Sequence, residues 1–481
     1  MKKILLLWGL WMLLFASCAR SPSWERYLAQ GEFARAEAIL NSLLRTQNRV
    51  LPREKARELR WKLEWMQRVR QDYPYRKADL LQQMAGRIAD FRPREFDRWL
   101  REGKFDYRVL DGDTVFLYAS VSNLFWRYPE IRARRKSGDG KAFQQELWKQ
   151  YQNILRAAGA VKRSVFLPHR FRARFTVTVK AGAVPPGETL RCWIPIPRRY
   201  AYQQPAEILS ANARIGWIDR PDSPIRSVYL EKPAEKGRET VFQVVLRYVT
   251  YATYRRIDSS RVAAAPIRDR GVVPFIQEQP PHVVFTPELK RLAHKISAGA
   301  RNPYLKAKKV YNWISENIRY SYAPEYSTIP NLSLFTYRRR YGDCGQEAML
   351  FITLCRILGV PARWQSGWLI MPGGKTIHDW AEIYLEPYGW IPVEPYLGIY
   401  VHRYAGSLSP QQRRRLRAFY FGNLDPYRYI ANADHGRKLY PPKRFFRSDN
   451  VDFQRGEVEW RGGNLYFGAF RYQLDVEPEG Q

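Results

Sequence analysis

Across 481 residues, 45% hydrophobic, 26% charged and 15% aromatic residues exclude wholesale disorder and a polytopic membrane protein, and the length leaves room for about three domains. Eighty Lys and Arg against 46 Asp and Glu leave a net charge of +34, which brings nucleic acid, anionic membrane and other polyanions forward as partners. At the N-terminus, Lys2 and Lys3 precede an apolar run from Ile4 to Ala16, too short to span a bilayer but suited to the core of an export signal.

That run closes on Phe15-Ala16-Ser17-Cys18, which resembles the lipobox of bacterial lipoproteins, in which the cysteine becomes the lipidated first residue. Residues 1–17 are then a lipoprotein signal peptide and Cys18 the lipidation site. Phe15 stands where Leu is usual, and the alternative is cleavage after Ala19 with release of a soluble protein. Export places the protein in the bacterial cell envelope, facing the periplasm or cell surface. No nucleic acid is then expected, and the positive surface points to an anionic glycan or lipid. Cys192, Cys344 and Cys355 remain, an odd set that argues against a disulfide framework.

Apolar residues at three-to-four spacing (Ala36, Ile39, Leu40, Leu43, then Leu59, Leu63, Met66) predict a helical N-terminal region over 18–165. Within it, residues 132–141 (RARRKSGDGK) are predicted to be an exposed basic loop rather than a binding arm. At Phe171 the period changes to two, with Phe171, Ala173, Phe175, Val177 and Val179 alternating with Arg172, Arg174, Thr176 and Thr178. Similar runs at Leu190–Ile196, Ser227–Leu230 and Val241–Val249 predict a β-sandwich over 166–260, with Pro195 and Pro197 placing one strand at an edge or bulge. Helices are predicted from Thr286-Pro287 onward and along Ala307, Val310, Tyr311 and Ile314. Residues 261–400 form the next domain. Residues 401–481 are expected to be a basic, aromatic extension ending in a hairpin about Arg461-Gly462-Gly463-Asn464.

Gly342-Asp343-Cys344-Gly345-Gln346 precedes the apolar run Ala348 to Leu358 and stops at Gly359, a complete helix with Asp343 as N-cap and Gln346 three residues on. Cys344 falls at the first helical position, where the helix dipole favours thiolate over thiol. It is the candidate nucleophile, and Cys355 is a core residue. Of six histidines, His378 has the best context as a base. It lies on a predicted strand, Ile377–Leu385, followed by a second, Trp390–Glu394. A turn centred near Glu386 sets His378 opposite Glu394, with Cβ atoms about 5 Å apart, close enough for the carboxylate to orient the imidazole.

Gly342-Asp343-Cys344, His378-Asp379-Trp380-Ala381-Glu382-Ile383-Tyr384 and Tyr388-Gly389-Trp390-Ile391-Pro392-Val393-Glu394-Pro395 together resemble the core of the transglutaminase-like superfamily, over about residues 285–400. The resemblance implies an α+β protein with a papain-like core: Cys344 as nucleophile, His378 as general base and acid, and Glu394 in a third position usually held by Asp. Asp379, pointing to the opposite face of its strand, is a poor substitute. The implied chemistry is acyl transfer through a thioester on Cys344, from a protein or peptide carboxamide or peptide bond, to water or an amine. The Cys344 N–H is one oxyanion donor, with Tyr320 or Tyr322 as candidates for the second. No cofactor and no metal is expected: His and Cys are not clustered, and Gly373-Gly374-Lys375 lacks the rest of a phosphate loop. The rival expectation is a non-catalytic binding or scaffold lipoprotein on the same fold.

Overall fold

The computed structural model describes residues 23–46, 50–138, 140–263 and 269–480; Cys18 and the apolar leader lie outside them. The strands are β1 (Tyr107–Leu110), β2 (Asp113–Phe116), β3 (Val165–Val179), β4 (Thr189–Pro195), β5 (Glu207–Ala211), β6 (Arg214–Ile218), β7 (Ser227–Pro233) and β8 (Thr240–Thr253). They continue as β9 (Arg319–Tyr320), β10 (Tyr341–Gly342), β11 (Ala362–Leu369), β12 (Thr376–Leu385), β13 (Gly389–Val393), β14 (Arg428–Asn432), β15 (Glu457–Trp460), β16 (Gly463–Leu465) and β17 (Phe470–Pro478). No helix among the described residues is long and apolar enough to cross a membrane. The described residues divide into two compact units, those up to residue 79 with 106–118, and those of 80–105 with the ones from 119 onward.

In the first unit, helices Trp24–Gln30 and Phe33–Thr46 meet at Gly31, whose φ is 79°. A Cβ there would lie 2.2 Å from the Val109 carbonyl oxygen, so glycine alone lets the helix end and β1 approach. The hairpin β1–β2 interrupts the helical stretch expected over 18–165. Its signal was Asp111-Gly112, both at positive φ (51° and 90°), as a two-residue turn of the primed type requires.

The second unit holds the sandwich and the core. One sheet runs β16-β15-β4-β7-β6 and the other β17-β3-β8-β5, enclosing Phe171, Phe175, Val177, Cys192, Leu230 and Leu246. β4 is an interior strand, contrary to the edge expected from its prolines. Pro195 is its last residue, where the missing N–H disrupts little of the ladder. Residues 401–481 are not a separate extension. β15, β16 and β17 complete the two sandwich sheets, and β14 is the fourth strand of the core sheet β13-β12-β11-β14. The hairpin at Arg461 is present, with Val458 opposite Leu465. The helix Cys344–Ile357 is buried from Gly345 to Arg356 and packs against Ala381, Ile383 and Leu385 of β12. Each of its leucines and isoleucines removed from water contributes about 1.5–3 kcal/mol.

Candidate active site

Helix Cys344–Ile357 opens with a reciprocal cap, in which Asp343 Oδ1 accepts the Gln346 N–H at 3.1 Å and Gln346 Oε1 accepts the Asp343 N–H at 3.2 Å. Cys344 is therefore the first helical residue, as its context predicts. At Gly345 a Cβ would lie 2.2 Å from the Tyr326 hydroxyl and 2.6 Å from Asp379 Oδ2, so the glycine lets both groups close over the helix start.

The nucleophile candidate does not face its expected partner. Cys344 Sγ donates to Asp379 Oδ2 at 3.5 Å, and among the described residues it makes no hydrogen bond with His378. Strand alternation does put Asp379 and His378 on opposite faces of β12, but the Asp379 face is the one that packs on the Cys344 helix with Ala381 and Ile383. Asp379 is thus no substitute for Glu394 beside His378, as its strand face predicts, but it is a partner of the thiol. Its carboxyl also meets the Tyr326 hydroxyl at 3.3 Å and accepts from Gln454 Nε2 at 2.6 Å, while Tyr326 donates to Asp343 Oδ1 at 2.6 Å. Burial, then the charge of neighbouring Asp452, pushes Asp379 well above the usual carboxylate range, and burial pushes Asp343 up to about 6.

The thiol follows its surroundings. Burial first, then the Asp379 and Asp343 carboxyls, push Cys344 well above the usual thiol range. Cys344 keeps an accessible edge, so the two carboxyls share that effect with desolvation. A helix N-terminus supplies about 0.3–1 kcal/mol to an anion, and here it is outweighed. The lowered thiol expected from the helix position is thus reversed in this resting arrangement.

His378 and Glu394 do meet. His378 Nε2 lies 3.0 Å from each Glu394 carboxylate oxygen, with both side chains at most 1% exposed. A carboxylate only accepts, so the ring proton sits on Nε2 and leaves Nδ1 as the acceptor. The register differs from the predicted one. Leu385 pairs with Gly389 and Ala381 with Val393, so the hairpin centres on Pro387, and the ladder ends before Glu394. Extended in that register, Glu394 stands opposite Trp380, one diagonal step from His378 and on the same face, which is why the contact survives. Glu394 also accepts a hydrogen bond from Arg428, whose other arm reaches Asp425 Oδ2 at 2.7 Å. Neither Arg428 nor Asp425 was found from sequence: they lie 34 and 31 residues beyond Glu394, on or beside a strand assigned to the tail.

Four tyrosines, Tyr320, Tyr322, Tyr326 and Tyr396, feel the charge of Cys344, and the Tyr396 ring lies 5.3 Å from His378. Sequence reasoning named the first two and missed Tyr326 and Tyr396.

Residues 290–395, which carry Cys344, His378 and Glu394, match the model of the transglutaminase-like superfamily. This segment is a transglutaminase-like core. The chain is 26% identical over 129 residues to the protein YebA of Bacillus subtilis (strain 168), a match over 23% of this chain and 17% of that one, so it spans about a sixth of that relative. Among solved structures, a candidate cysteine protease from Cytophaga hutchinsonii is 16% identical, with a TM-score of 0.42 over 66% of this chain and 93% of the other. The periplasmic domain of TgpA from Pseudomonas aeruginosa is 16% identical, with a TM-score of 0.27 over 54% of this chain and 94% of the other.

Proposed function

We propose that this protein is a cell-envelope thiol enzyme that takes an acyl group from a carboxamide or peptide bond onto Cys344 and passes it to water or to an amine. The observation that carries the reading is His378, held by Glu394 through Nε2 with Nδ1 left to accept a proton, in the same transglutaminase-like core as a helix-borne Cys344. In the reaction the Sγ proton passes to Nδ1, and sulfur attacks the carbonyl carbon. The C–N bond then breaks as the imidazolium proton moves to the leaving nitrogen. Water or an amine, deprotonated by His378, cleaves the thioester and the thiol is restored. Glu394 stabilises the imidazolium, and Arg428 and Asp425 fix Glu394. A rotation of Cys344 about χ1, away from Asp379, begins the cycle.

The test is a burst assay with p-nitrophenyl acetate, with the acetyl adduct located by mass spectrometry. One equivalent of p-nitrophenol with acetyl on Cys344, no burst in Cys344→Ala and an about 100-fold slower one in His378→Ala are expected. The Asp379 bond to Sγ favours a second reading, a non-catalytic scaffold on the same fold. A parent protein without burst or adduct would establish that one instead.

The anchoring part of the proposal rests on Lys2, Lys3, the Ile4–Ala16 run and Cys18. A diacylated N-terminal peptide and partition into detergent, both lost in Cys18→Ala, are expected. An unmodified N-terminus at Arg20 would instead mark a released protein.

A further inference from the structure

A cavity of about 610 Å³ opens in the second unit beside the candidate site, and no residue of that site lines it. Its walls carry Arg132, Arg135 and Lys136 from the basic segment, Trp126, and Tyr400 and Tyr404. That volume is within the range of small-ligand sites, about 300–1,000 Å³.

Among the described residues, the cations are not spent on internal ion pairs. Arg132 donates to the carbonyls of Phe125 and Trp126 at 2.7 and 3.0 Å and lies over the Tyr404 ring at 4.3 Å. Arg135 lies over Phe125 at 5.3 Å, and Lys136 donates to the Ala85 carbonyl at 2.8 Å. Among the described residues, none of the three pairs with a carboxylate. Arginines fixed by backbone carbonyls and ring faces present forks that suit a planar carboxylate.

The helix Pro395–Arg403 connects this cavity to the reaction centre. It begins directly after Glu394, and Tyr396, Tyr400 and its C-cap residue Tyr404 fall on one face at four-residue spacing. Their rings follow one another at 5.9 and 6.2 Å. Tyr396 touches His378, and Tyr400 and Tyr404 line the cavity. Trp126 closes the other side, 4.6 Å from Tyr320, and Tyr322 feels Arg135 and Arg87 as well as Cys344. Eight residues of helix span about 12 Å, the reach of three or four extended peptide residues.

We propose that this cavity binds a carboxylate of the peptide acyl donor, an acidic side chain or free C-terminus three to four residues from the carbonyl that Cys344 attacks. The assignment rests on the acyl-transfer reading above for the identity of the donor. On this proposal the exposed basic loop expected at 132–141 serves as a binding arm.

The test uses the full chain with Cys344→Ala, so that binding is measured without turnover. Two probes are compared by calorimetry, acetyl-Gln-Ala-Ala-Glu-Glu-amide and the same peptide with Gln in place of both Glu. The acidic peptide is expected to bind about ten-fold tighter. That preference should vanish in about 0.5 M salt and in a chain also carrying Arg135→Gln and Lys136→Gln. Equal affinity for the two peptides overturns the proposal, as does a preference that survives the double substitution. Binding of an oligogalacturonate with neither peptide bound also overturns it, in favour of a glycan site. If the double variant fails to fold, the peptide pair and the salt dependence decide. An ester burst in the parent chain together with equal peptide binding would remove the cavity assignment and leave the acyl-transfer reading standing.

Discussion

Two carboxylates on either side of β12 divide the work at the candidate site. Glu394 engages His378 and is itself engaged by Arg428, while Asp379 engages the Cys344 thiol and works with Asp343 to keep it protonated. Asp379→Asn removes one of the two charges that raise the thiol. Its iodoacetamide rate–pH profile should therefore move to lower pH. An unmoved profile would mean that burial alone sets the thiol. Arg428→Met leaves Glu394 and Asp425 buried without their cation and should cost about 3–5 kcal/mol in urea unfolding. An unchanged midpoint would show that the two carboxylates hold by other means. The helix-start position of Cys344 and the contact of His378 with Glu394 were legible because each residue sits inside a short local pattern. Arg428, Asp425 and Gln454 were not, because only tertiary folding brings a strand and loops from the tail against β12.

The helix Cys344–Ile357 was legible from cap to stop because capping is local chemistry written in four consecutive residues. The β12–β13 register was not, since a one-residue shift in the centre of a hairpin depends on turn geometry and leaves the residue pattern almost unchanged. The tail was misjudged for a related reason: β14 to β17 are short or half-exposed, and their partners lie far back in the chain. Their structural weight is open to test. β17 pairs with β3 over nine positions, from Phe470 with Val179 to Pro478 with Phe171. A chain ending at residue 456 would uncover one edge of each sandwich sheet, and it should be aggregated or protease-sensitive under conditions where the full chain is not. A soluble, protease-resistant truncation would show the sandwich closing without the tail.

Over the whole molecule, the buried titratable groups give an unusual response to pH. Burial pushes Asp343 and Asp452 up to about 6, and Asp379 and Glu347 well above the carboxylate range. Unfolded carboxyls titrate near about 4, so between about pH 4.5 and 6 the native state holds four protons that the unfolded chain has released. Burial pulls His282 and His435 down to about 4 and about 3 and lowers His169 and His402 as well, so the unfolded chain holds protons on these four imidazoles that the native state lacks. Asp449, also raised by burial, brings the carboxyls to five and leaves the native state the surplus. Stability should rise as pH falls from about 6 to 5, by roughly 1.4 kcal/mol per unit for each excess proton. Urea midpoints that fall steadily over that interval would show the imidazoles winning. The tail strands have one more consequence, for the order of events as the chain emerges from N- to C-terminus. β8 reaches β3 early, but β17, its partner on the other side, arrives some three hundred residues after it, and Arg428 arrives after Cys344, His378 and Glu394 are all present. Loop-closure entropy delays such distant pairings. The thiol and its base are thus translated well before the groups that hold them in place, and a nascent chain stays without an assembled centre until β14 and the loops after it are free.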